Sequence, residues 1–135
     1  MKGGINGEII QEMKALIAGQ QAFIATTDPN GAPNIGTKAS THVLDDEHIV
    51  FYELTGGRTW TNLKNDPRVA IAVADRSKVQ GYRFVGKAEL ITKGELYDGA
   101  KKLAEMMKMP VPPKAAVKVK VDEIFNLGAG GLKVD

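Results

Sequence analysis

Residues 48–69 read HIVFYELTGGRTWTNLKNDPRV. Ile49, Phe51 and Leu54 interleave with Val50 and Tyr52, a β-branched and aromatic composition that predicts a strand. Gly56-Gly57 breaks the run. Thr59 is a good N-cap residue for a short helix through Trp60, Leu63 and Lys64. Asp66-Pro67 stops that helix, because a residue before proline avoids the α region. The expected order is strand, glycine turn, short helix, strand.

A helix start carries unpaired N–H groups and the positive end of the peptide dipoles. Two glycines, Arg58 and Thr59 at that start have the chemistry of a phosphate cradle. Arg58 would fork onto two phosphate oxygens, and Thr59 would add a hydroxyl donor. On these residues alone a capped helix with a solvated arginine is the stronger reading, since small anion-cradle motifs often arise by chance. The segment is not a P-loop: Tyr52 stands where the first glycine of that motif belongs, and Arg58 replaces its lysine.

The strand before the cradle extends the pattern backwards. PNIGTKASTHVL, Pro33 to Leu44, reads as one strand that returns from the Asp28-Pro29-Asn30-Gly31 turn antiparallel to FIATTD, Phe23 to Asp28. Gly36 within it marks a bulge or a close backbone approach to a ligand. Asp45-Asp46 turns the chain into residues 48–54, which brings Thr37–Ser40 near Tyr52 to Leu54. Lys38, Arg58 and Thr59 are thereby expected to converge on one anion. Further out, Asn6 is a candidate cap for a helix with Ile9, Ile10, Met13, Leu16 and Ile17 on one face, ending at Gly19.

On the other side, VAIAVA (Val69 to Ala74) reads as a buried strand, and YRFVGKAELIT (Tyr82 to Thr92) as a long one bulged at Gly86. Glu95 to Met109 predicts a helix with Leu96, Ala100, Leu103, Met106 and Met107 inward, stopped by Pro110. AAVKVKV, Ala115 to Val121, alternates as a half-buried strand does. Asp122 to Leu127 reads as a last short turn or strand, and Gly128 to Gly131 as a loose tail. About six strands, three helical pieces and mostly local hairpins predict a mainly β chain closing into a small barrel. A Rossmann fold is excluded by the absence of a β–α–β alternation, and the glycines of the tail have no helix after them.

One domain over residues 1–135 suits this length. With 43% apolar and 25% charged residues the chain can build a core without staples. Cysteine is absent, which removes disulfides, thiolate nucleophiles and cysteine-ligated zinc. Lys+Arg 18 against Asp+Glu 16, with no basic run beyond Lys101-Lys102, gives no nucleic-acid footprint. No apolar run reaches spanning length, so no membrane partner is expected. The N-terminus is charged where a signal peptide is apolar, and the reading is a cytoplasmic protein. His42 and His48, the only histidines, read as surface or dimer contacts, since two imidazoles fall short of a metal's ligand set. Trp60 reads as core or subunit interface, and Met106, Met107 and Met109 as core filler. No spacing singles out a catalytic triad.

FIATTDPNGAPNIG, HVLDDEHIVFYE and GGRTWTNLKNDPRVAIAV occur in the order of the flavin-binding split barrels, a family that includes pyridoxamine 5′-phosphate oxidase and short prokaryotic FMN-binding proteins. The chain resembles that family from Ile17 to Val121. The resemblance implies a six-stranded antiparallel Greek-key split β-barrel, dimerising with FMN at the interface. It implies that Gly57, Arg58 and Thr59 meet the FMN phosphate and that Thr37, Lys38, Ala39 and Ser40 line the flavin. Tyr52, Glu53 and Leu54 would contribute largely through backbone, Asn62 would fix the short helix or reach the cofactor, and the second subunit would add residues near Gln80 to Tyr82. The tail FNLGAGGLKVD lacks the arginine and histidine with which the oxidase grips its substrate, and Thr59 replaces the oxidase's second basic residue. The likeness is therefore to the short FMN-binding proteins, with electron or hydride transfer as the implied activity and Lys38 and Tyr52 as the nearest acid–base candidates. The alternative is a non-redox module of the same barrel holding haem, a deazaflavin or another planar or phosphate-bearing ligand.

Overall fold

The computed structural model describes residues 7–128 and 132–134, so the expected Asn6 cap and part of the glycine tail lie outside the described residues. Among the described residues eight strands form one antiparallel sheet: β1 (Ala22–Thr27), β2 (Pro33–Thr37), β3 (His42–Asp45), β4 (His48–Glu53), β5 (Arg68–Asp75), β6 (Gln80–Ile91), β7 (Ala115–Asn126) and β8 (Leu132–Val134). Three helices accompany them, α1 (Gln11–Gly19), α2 (Arg58–Asn65) and α3 (Glu95–Met106). The strand order is β2-β1-β5-β6-β7-β4-β3, with β8 added to β7. β2 and β3 are consecutive in the chain yet stand at opposite ends of that path, joined by only residues 38–41. The sheet must curl until its ends meet, which makes it a barrel with a seam.

This corrects the reading of Pro33 to Leu44 as a single strand. Pro33–Thr37 pairs with β1 and His42–Asp45 with β4, so the chain changes edges between them. The barrel interior is filled by alternate side chains: Ile24 from β1, Ile49 and Phe51 from β4, Ile71 and Val73 from β5, Tyr82 and Phe84 from β6, and Val117 and Val119 from β7. Met13, Leu16 and Ile17 of α1 join that core. α1 starts later than expected, at Gln11, with Ile10 at the N-cap and no side-chain cap. Val50 and Ala116 are buried outside the barrel core, on the side where α3 packs on β7 through Ala100 and Ala104.

The irregularity expected at Gly86 is shared with its neighbour strand. Val85 faces Glu123 and Gly86 faces Val121, so the extra residue is Asp122 on β7. Gly86 is needed opposite it, because a Cβ there would overlap the Lys120 carbonyl oxygen. Past the slip, burial on β7 passes from Val121 to Ile124 and not to Glu123. Residues 122–126 thus continue the long strand.

The β5–β6 connection is a single 3₁₀ turn over Arg76–Lys78, capped by the Asp75 carboxylate accepting from the Ser77 N–H, and it exits through Val79 at φ 49°, ψ 47°. A β-branched residue in the left-handed region is strained, by about 1–2 kcal/mol. Val79 is 77% exposed, so little burial offsets the strain. Val79→Gly should therefore raise stability by about 0.5–1 kcal/mol after glycine's own entropic penalty. Urea midpoints check it; Val79→Thr, equally branched, should not move, and a glycine variant no more stable than the parent would remove the strain.

Candidate functional site

The seam loop is the first wall of the site. The Lys38 N–H donates to Ala22 O at 3.4 Å, and Thr41 Oγ1 donates back to Lys38 O at 2.6 Å. Ser40 Oγ accepts from the Tyr52 N–H at 2.9 Å, and His42 Nδ1 donates to Ser40 O at 2.7 Å. These bonds tie the loop to β1 on one side and β4 on the other. Thr37–Ser40 consequently stands beside Tyr52–Thr55, as the sequence predicts.

Behind that wall, Lys38 Nζ lies 2.9 Å from Glu53 Oε1. Glu53 is 1% exposed and Lys38 21%, so the pair is largely withdrawn from water. Among the described residues Glu53 Oε2 has no hydrogen-bond partner. A half-satisfied buried carboxylate is costly, and among the described residues Lys38 is its ion-pair partner. The Glu53 backbone is engaged as well, its carbonyl accepting from the Lys114 N–H at 2.8 Å.

A cavity of about 260 Å³ opens in front of the loop, lined by Thr37, Lys38, Ala39, Ser40, Tyr52, Leu54 and Thr55, and by Leu103, Met107 and Met109 across from them. Six predicted site residues thus share one cavity. The Tyr52 ring is set by its neighbours: its centroid lies 5.5 Å from that of His42, and its hydroxyl occupies the space a Cβ on Gly99 would need. The α3 residues were not singled out as site residues. Of the methionines expected inward, Met106 is 80% and Met107 59% exposed. α3 turns Ala100 and Ala104 inward, and Met106 falls about 200° round the helix from Ala104.

Two residues past the rim, α2 begins. Its N-cap is Gly57, not Thr59, and no side chain caps it. The first backbone bond of the helix is from the Thr61 N–H to Gly57 O, which leaves the N–H groups of Arg58, Thr59 and Trp60 without backbone acceptors among the described residues. Thr59 is buried, and a Cβ on Gly36 would stand 2.9 Å from its hydroxyl oxygen. The close approach expected at Gly36 is therefore to this helix. Asn62 is 2% exposed and donates to Thr26 Oγ1 at 3.0 Å, so its side chain fixes α2 against β1. Arg58 is exposed, and among the described residues it has no ion-pair partner. Lys38, Arg58 and Thr59 do not converge: Lys38 turns to Glu53, the Thr59 hydroxyl to Gly36, and Arg58 to solvent.

The helix is clamped at its other end. Asp66 accepts from the Arg68 N–H at 3.0 Å and from Arg68 Nη2 at 2.7 Å. His48 Nδ1 meets Asp45 Oδ1 at 2.8 Å, so the two histidines have separate partners. Among the described residues no group of three or more His, Cys, Asp or Glu could hold a metal. Tyr82 is 1% exposed inside the barrel and is not offered to a second subunit. Among the described residues no helix is long and apolar enough to cross a membrane.

The family model for pyridoxamine 5′-phosphate oxidase matches residues 9–128. The crystal structure of HupZ from Group A Streptococcus is 42% identical, covers 94% of this chain and 99% of its own, and superposes with a TM-score of 0.82. A candidate pyridoxamine 5′-phosphate oxidase of Lactobacillus delbrueckii is 30% identical over 93% of this chain and 99% of its own, with a TM-score of 0.75. An FMN-binding protein of Syntrophomonas wolfei shares the fold at 21% identity, covering 84% and 82%, with a TM-score of 0.71.

Two expectations follow from the geometry. Lys38→Met strands a buried carboxylate and should cost about 2–4 kcal/mol of unfolding free energy, most of which Glu53→Leu in the same chain should restore; additive losses would mean the pair is not coupled. The second concerns pH. Hydrogen bonds from the Arg68 side chain, then from its N–H, hold the Asp66 carboxyl down at about 2, against an ordinary 3.8. The folded value lies below the unfolded one, so the clamp contributes fully above about pH 4 and is lost as pH falls toward 2. Asp66→Asn should flatten stability over that window, read as urea midpoints between about pH 5 and 2; parallel curves for the two proteins would dismiss the clamp.

Proposed function

This chain belongs to the pyridoxamine 5′-phosphate oxidase family, and we propose on that premise that it is a homodimeric flavoprotein that holds FMN for electron or hydride transfer. One observation carries the reading. Thr55 and Thr37 line the cavity; Gly56-Gly57 joins Thr55 to the uncapped start of α2, and Gly36, beside Thr37, packs against Thr59 in the first turn of that helix. A planar group in the cavity can thus be covalently joined to a phosphate at a helix N-terminus.

The donor set fits that cofactor. Arg58 is free to fork onto two phosphate oxygens, and the N–H groups of Arg58, Thr59 and Trp60 lack backbone acceptors. The Thr59 hydroxyl, turned to Gly36, is left out of this set, and the residue contributes its N–H. Ala39, Leu54 and Tyr52 supply apolar surface for the ring, and Ser40 is held in place by its bond to β4. When bound, FMN supplies reversible hydride and single-electron transfer, while the protein anchors, orients and excludes water. The 2.9 Å contact with Glu53 draws the Lys38 ammonium back and leaves the lysine as part of the cavity wall.

The outer face of the sheet supports a dimer. Phe23 and Ile35 are 46% and 70% exposed, and the pairings Ala25↔Ile35, Ala25↔Ala70 and Ala70↔Val85 put them on one face with small apolar neighbours. Such a face suits a second copy, and Thr37, paired with Phe23, carries it to the cavity's edge.

The test is an absorbance spectrum of the purified protein, with added FMN and then dithionite. One flavin per chain, bleached on reduction, is the expected result. Arg58→Ala should weaken FMN binding by about 2–3 kcal/mol, roughly 30- to 150-fold in Kd; unchanged affinity removes Arg58 from the phosphate. A protein that refuses FMN would assign the cavity to another planar ligand, haem or a deazaflavin among them.

A further inference from the structure

We infer that the C-terminal turn of α3 is the second wall of the ligand site, and that the thioethers of Met107 and Met109 lie against the ring of the bound flavin. The inference rests on the FMN reading and extends it to an element beyond the phosphate-binding segment.

Leu103, Met107 and Met109 line the cavity opposite Thr37–Ser40 and Leu54. Leu103 and Met107 are one helical turn apart and so share a face. Met109 reaches the same cavity because the chain reverses. Lys108 takes a left-handed conformation at φ 55°, and the Met109 N–H donates to Ala104 O at 3.0 Å. A lysine held there costs about 1 kcal/mol or more, so the reversal is maintained against local preference. The loop that follows is pinned at its far end, where Tyr97 Oη donates to Pro113 O at 2.8 Å and the Lys114 N–H donates to Glu53 O at 2.8 Å. The wall is therefore anchored both to α3 and to β4, beside the ion pair.

The chemistry of this wall selects a class of contact. It presents two thioethers and a leucine and no charge. Methionine is unbranched and polarisable, and its sulfur makes favourable contacts with aromatic rings. A flat, uncharged π-system fits it, and a phosphate does not. The same helix end carries an internal control: Met106 is 80% exposed and does not line the cavity. Met13, at 0%, is a second control.

Dilute hydrogen peroxide converts exposed thioethers to sulfoxides, and access sets the rate. The full chain is treated in the dark with and without FMN, binding is verified by the flavin spectrum, and each sulfoxide is followed by peptide mass spectrometry. FMN should slow Met107 and Met109 at least several-fold, leave Met106 fast, and leave Met13 unreactive in both states. A yellow complex whose Met107 and Met109 oxidise at the ligand-free rate overturns this inference and leaves the FMN reading standing. Protection of both methionines before FMN is added also overturns it, since a second chain then covers them. A chain that takes up no FMN defeats the FMN reading and this inference together. Exchanging both for glutamine should weaken FMN on the order of three- to tenfold, with the far-ultraviolet spectrum unchanged; full affinity would count against the contact.

Discussion

Four residues, 38–41, join two strands that lie at opposite ends of the sheet. That short connection leaves no open-sheet solution, and the other features of the site follow from closing it. The loop must bond to β1 and to β4 together, so its backbone and Ser40 are committed to holding the seam. Its side chains are then presented at the barrel's edge, where a cavity can form between the loop and β4. α2 sits across the same region, tied by Asn62 to β1 and packed closely enough against β2 that a Cβ at position 36 would press on the Thr59 hydroxyl.

The Lys38–Glu53 pair is a different kind of constraint. Buried ion pairs seldom add net stability, because desolvation consumes the Coulombic gain. Here Glu53 points inward from a strand whose other inward residues, Ile49 and Phe51, are apolar. An isoleucine at that position would complete the core more cheaply, but it would leave Lys38 without a partner. The pair holds the lysine stem against the cavity and fixes which way its ammonium faces. Stability is exchanged for orientation, which is how sites are commonly distinguished from cores.

Much of this was legible in the chain. The Asp28–Gly31 turn is written in local chemistry: the Asp28 carboxylate accepts from the Asn30 and Ala32 N–H groups and Gly31 takes φ 83°. The strand–glycine–helix–strand order around Arg58 was equally local, and so was the adjacency of Thr37–Ser40 with Tyr52–Leu54. What stayed hidden depended on distant partners. PNIGTKASTHVL holds no strong breaker where the chain changes edges, because closure of the whole sheet forces that turn. The β7 bulge shows only as a slip in burial phase from Val121 to Ile124, invisible without β6 beside it. Thr59 has ideal capping chemistry, yet β2 packs against α2 and draws it into the interior, leaving Gly57 at the cap. Three methionines in a helical pattern read as core because hydrophobicity alone does not say which side of a short helix the sheet will cover.

The position of β7 has a consequence for synthesis. It pairs with β6 along one edge and with β4 and β8 along the other, yet among the described residues it is the last long strand to be made. Glu53 must wait for Ala115, about sixty residues downstream, before its edge of the sheet is covered. A nascent chain therefore carries β4 with that edge bare until β7 has been made, and the barrel cannot close before then. The interval before β7 arrives is when the chain is most open to pairing with a neighbour.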